Sequence, residues 1–77
     1  MQLSTLINIA FRYDAILTRY ARILTGSKPA ADSISMAVFE MYYNAAIELD
    51  ESALRAYLLW AVKERCIKWK MANAVWH

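Results

Sequence analysis

"TGSKPAAD", Thr25 to Asp32, holds the only glycine and the only proline of the chain. Glycine takes the left-handed backbone that closes a helix, and proline is accommodated in a helix's first turn. The octet therefore reads as one helix ending and another beginning, with Ser27 as the N-cap of the second. Working outward, a second polar break, "ELDES" at Glu48 to Ser52, offers Asp50 and Ser52 as caps for a third helix. The spacing predicts helices over about Ser4–Leu24, from Ser27 to about Ala46, and from Asp50 or Ser52 at least to Lys70. At 1.5 Å per residue each is roughly 25–35 Å long. Short connections between such helices predict an all-α fold, a small antiparallel three-helix bundle, in a single domain spanning residues 1–77. No stretch alternates cleanly enough to suggest a strand.

Periodicity names the inward faces. The first segment repeats Leu6, Ala10, Tyr13, Leu17, Tyr20 and Leu24 at three- and four-residue steps, with Arg12, Arg19 and Arg22 largely off that stripe. The second repeats Ala31, Ile34, Val38, Met41, Tyr42 and Ala45. The third, "LRAYLLWAVKERCIKWK" from Leu54 to Lys70, carries two tryptophans and five positive charges. A helix turns about 100° per residue, so Trp60 and Trp69 point to opposite sides. Leu54, Leu58, Ala61, Val62 and Trp69 share one apolar face, which assigns Trp69 to the core. Trp60 shares the other side with Lys63, Glu64, Ile67 and Lys70. Arg65 tilts towards the core stripe, where its stem packs and its head reaches outward. A tryptophan among lysines suits nucleic acid, whose bases stack while its phosphates meet the cations. It equally suits a protein interface, where tryptophan is a frequent energetic anchor.

Composition bounds these readings. The chain is 60% hydrophobic, more than a domain of 77 residues can readily hide. An exposed apolar patch is therefore expected, serving a partner, self-association or the rest of a longer chain; a tight bundle rich in alanine is the plainer alternative. The net charge of +2 announces no nucleic-acid partner by itself. Its distribution says more: Arg55, Lys63, Arg65, Lys68 and Lys70 outweigh Glu51 and Glu64 in the last third. A single cysteine, Cys66, excludes an internal disulfide, and with His77 the only histidine there is no zinc motif. Cys66 reads as a small apolar core residue, and His77 as a poor catalytic partner for it. Paired carboxylates, a nucleophile with its base, and a glycine-rich phosphate loop are all missing, so neither an enzyme nor a cofactor is expected. The longest apolar run, Ala56–Val62, is far short of a membrane span, and no secretory signal is visible. A cytoplasmic protein without membrane contact is the expectation.

The order of residues carries further information. "YARILTGSKPAADSISMAVFEMYYNAAIELDESALRAYLLWAVKERCIKWK" resembles region 2 of bacterial sigma-70-type RNA polymerase sigma factors, most of all the extracytoplasmic-function group. The matching positions are Tyr20-Ala21, Thr25-Gly26, Ala31, Ile34, Val38-Phe39, Tyr43, Leu54-Arg55-Ala56-Tyr57-Leu58, Val62-Lys63, Arg65-Cys66 and Trp69. They span roughly residues 11–70 with matching gaps. The "TG" stop, the "VF" pair and the "LRAYL…RC" run are the specific elements.

The resemblance implies a division of labour. The second helix would dock on the clamp helices of the largest subunit of core RNA polymerase, through Ser33, Met36, Ala37, Glu40 and Tyr43. The Asn44–Asp50 loop and the third helix, through Arg55, Trp60, Lys63, Glu64 and Lys70, would melt and recognise the promoter −10 element by capturing flipped bases. A −35 reader would come from another domain or a second chain, and an anti-sigma factor would be a further partner. The departures fall on these same surfaces. Where the family places an acid, an amide and another acid, this sequence has Ser33, Met36 and Ala37. A basic position is Trp60, and an asparagine is Glu64, whose carboxylate repels phosphate. Two readings thus stand side by side. One is a transcription-initiation module. The other is a repurposed protein-interaction domain, an adaptor or a homodimer, using Met36, Tyr43 and Trp60 without reading DNA.

Overall fold

The computed structural model describes residues 2–74, with the side chain of Ala74 left aside. His77, weighed above as a partner for Cys66, lies outside the described residues. Three α-helices follow in order: α1 (Leu3–Thr25), α2 (Lys28–Ala45) and α3 (Glu51–Ala74), and each packs against the other two. The expected bounds hold to within a residue or two at every junction, and no strand occurs among the described residues.

The first junction is built from side chains suited to it. Gly26 takes φ 69°, and its N–H donates to the carbonyl of Arg22 at 2.8 Å, closing α1. The Thr25 hydroxyl donates to the carbonyl of Ala21 at 2.8 Å and accepts the Ser27 N–H at 3.2 Å. Ser27 Oγ then accepts the N–H of Ala30 at 3.3 Å, capping α2 as its position before Pro29 requires. At the second junction Asp50 is the cap, its Oδ1 accepting the N–H of Ala53 at 2.8 Å. The helix before it ends differently, on Ala46 at φ 53°. A side chain in that left-handed region costs roughly 1–2 kcal/mol, which glycine would avoid.

The core is one cluster drawn from all three helices: Ile9, Tyr13, Leu17 and Ala21 from α1, six residues of α2 from Ala31 to Tyr42 including Ser35, and Leu54, Leu58, Ala61, Val62 and Cys66 from α3. Cys66 is sealed inside as expected. The expected stripes are not buried throughout. Leu6, Ala10, Tyr20, Leu24, Met41 and Trp69 pack against the edge of this cluster, half-buried, and Ala45 is exposed. Ile9, Ala21 and Phe39, outside the expected stripes, are buried. The bundle is elongated, 42 × 20 × 20 Å, with 5384 Å² of accessible surface. About 4,800 Å² is usual for a globular chain of 8.9 kDa, so this elongated shape exposes more surface than usual; Phe11, Ile23, Met36 and Met71 are among the large apolar side chains left outside.

Candidate functional site

On the outer side of α3 an aromatic run climbs from the core to solvent. Tyr42 of α2 is buried; its ring centre lies 5.4 Å from that of half-buried Tyr57, which lies 6.4 Å from that of Trp60. Trp60 is 57% exposed. Tilted pairs at these separations are favourable, so the buried end steadies the indole that stands in solvent. Lys63, Ile67, Lys70 and Met71 are exposed on the same side of α3, and Glu64 is half-buried one turn beyond Trp60. An exposed indole with lysines one and three turns away offers a stacking platform and phosphate partners together. Glu64 sets a carboxylate against the same ligand.

Arg55 does not belong to this group. Five residues before Trp60, it is rotated about 140° away and lines the seam between α3 and α1 with Arg12, Tyr13, Glu51 and Ser52. Arg12 forms an ion pair there with Glu51, both side chains largely solvated, which makes a small contribution to stability. Arg65 is half-buried as expected, its guanidinium donating to Met41 Sδ at 3.7 Å.

The α2 set is brought together. Ser33, Met36, Glu40 and Tyr43 are exposed along one side of α2 with half-buried Ala37 at its edge. Met36 is 72% exposed. The sequence reading missed what α1 adds: Leu3, Ile7 and Phe11, at four-residue steps, stand exposed on the side of α1 next to the groove that Met36 and Phe39 line with Ala10 and Asp14. Phe11 is 87% exposed. A four-step apolar run off the main stripe was the available signal, since only a face meant for something other than the core repeats there.

Burial pushes the Cys66 thiol above its ordinary value, offset in part by the charge of Lys70 one turn on. It is therefore protonated and unreactive at neutral pH. Among the described residues no group of three His, Cys, Asp or Glu side chains comes together to hold a metal, and no helix is long and apolar enough to cross a membrane. No protein-family model, curated protein or solved structure matches the chain.

Proposed function

We propose that this chain is a sigma region 2-like transcription module: an antiparallel bundle that docks on core RNA polymerase through α2 and takes the promoter −10 element as single-stranded DNA on the outer side of α3. It acts in the cytoplasm by binding, without catalysis, and depends on another domain or chain for −35 recognition. The observation that carries the reading is Trp60, exposed at the end of the Tyr42–Tyr57 run with Lys63 and Lys70 on the same side. Bases stack on such a ring whatever their identity, and lysines take the backbone. Arg55 contributes to the DNA at most from the flank, given its place on the α1 seam.

The test is fluorescence anisotropy with labelled single-stranded −10-like DNA, beside a pull-down with purified core polymerase. Replacing Trp60 by Ala is expected to weaken DNA binding by about 1–3 kcal/mol, the range for one stacked base. Loss of Lys63 or Lys70 should lower the salt dependence of affinity. Failure of the unmodified chain to bind either polymerase or DNA would sink the proposal. The second reading, a protein-interaction domain on the same scaffold, is favoured by the exposure of Met36, where a clamp-binding surface would carry polar groups. Polymerase capture only by a Met36→Gln, Ala37→Glu variant would decide for it.

A further inference from the structure

Away from the outer side of α3, the surface divides by charge. In the α1–α2 seam Met36 stands exposed with Asp14 and Asp32, the latter engaged with Lys28 at 3.1 Å; Ile7 and Phe11 are exposed on α1, and Glu40 is exposed one turn beyond Met36 on α2. Along the α1–α3 seam, Ile16, Ile23 and Leu59 line an apolar groove with Arg19. Arg55 and Lys63, each one turn from Leu59 along α3, extend the positive charge, while Glu51 is taken up by Arg12. Each seam is apolar along its middle; one rim is acidic and the other basic. Ile7 and Ile16 are nine residues apart on α1 and point about 180° from each other, so the two seams open on different sides and can be covered at once.

We infer that a second copy of this chain seats its acidic α1–α2 seam on the basic α1–α3 seam of the first. Charge complementarity selects this occupant. A symmetric dimer through the α1–α2 seam would set Asp14 and Glu40 of one copy against those of the other, Asp32 being paired with Lys28, and like charges across an interface are costly. The head-to-tail contact sets carboxylates against Arg19, Arg55 and Lys63 and covers the apolar side chains of both seams. Area allows it: an interface of standard size takes about 800 Å² from each partner, a modest share of the 5384 Å² this chain exposes. Because the two surfaces differ, each docking leaves one seam free at either end. The product is a ring or an open chain of copies, not a closed pair. Trp60, rotated about 100° from Leu59, stays outside the contact, but Lys63 belongs to both surfaces, as Met36 and Glu40 belong to the α2 face, so this association competes with the binding proposed above.

Sedimentation equilibrium of the full chain, from micromolar to millimolar loading, tests it. The mass is expected to climb past that of a dimer as concentration rises, and to fall again in high salt as the rims are screened. Glu40→Lys and Arg19→Glu both change exposed side chains, and circular dichroism will verify that the helices persist. Each variant alone should associate about tenfold more weakly or worse. Their equimolar mixture should recover association past the dimer, since the lysine-bearing seam then meets the glutamate-bearing groove and the two unaltered surfaces meet each other. A monomer at every concentration, a plateau at the dimer, indifference to both charge reversals, or a mixture no stronger than its components would overturn the inference.

Discussion

The two sides of α3 are made of similar residues held under opposite conditions. Inward, Leu54, Leu58, Ala61, Val62 and Cys66 are buried against α1 and α2; outward, Trp60, Ile67 and Met71 are apolar and exposed. The inner side is chosen for fit, with small and branched residues where the helices approach closely. The outer side carries large side chains that are partly exposed and gain less from the fold. On the reading proposed above, the outer residues act in binding and the inner ones in stability, two tasks on one element.

Substitutions can break that comparison or sharpen it. Leu58→Ala, inside, should cost about 2–5 kcal/mol in urea unfolding, a large part of the stability of so small a domain; a loss under 1 kcal/mol would mean the inner side is loosely packed. Glu64→Asn, outside, should tighten single-stranded DNA binding by about 1 kcal/mol, because it removes a carboxylate beside the stacking ring. No change in affinity or salt slope would remove the DNA face from the account. The thiol of Cys66 gives a smaller, inward effect. Its folded pKa lies above the ordinary 9.0, so its contribution to stability is whole below that pH and is lost as pH rises towards the folded value. Cys66→Ala should flatten the decline of unfolding free energy above pH 9.0, whatever its effect at neutral pH. Smallest of all, Trp60→Ala should change unfolding free energy by no more than about 0.5 kcal/mol. A larger loss would show that the indole belongs to the fold and undo the contrast between the two sides.

How far the sequence could be read follows from which forces act locally. Helix ends were legible because Gly26, Ser27 and Asp50 act on backbone groups within four residues of themselves. Ala46 was not, since its left-handed φ is imposed by the short link to α3 and leaves no mark on residue type. The two positions make a matched test. Nothing lies within 4 Å of a Cβ built on Gly26, so Gly26→Ala should lose only backbone strain, while Ala46→Gly should relieve it, each by about 0.5 kcal/mol after the unfolded-chain entropy is counted. Trp69 was placed at the core because its angle on α3 is right. Angle, however, does not say that α3 reaches the bundle's edge there, and the indole rests against the cluster half-covered.

The candidate surfaces show the same limit. Trp60, Lys63 and Lys70 were found together because they share one helix, whose geometry the sequence supplies. Arg55 was grouped with them by order along the chain, yet it faces α1. Phe11, Ile7, Arg12 and Arg19 were missed because their meaning depends on which neighbour lies beside each edge of α1. That is tertiary information, and no single-helix pattern contains it.

Cys66, the sole thiol of the chain, has no exposed surface in the bundle and sits where α3 meets the rest of the core. A thiol reagent reaches it only when the helices part. Its labelling rate therefore acts as a built-in clock of opening, reporting how often the bundle exposes its centre without any probe having to be added. When reclosing outpaces labelling, that rate gives the free energy of the opening, and a partner that clamps the helices together would slow the clock in proportion to its affinity for the closed form.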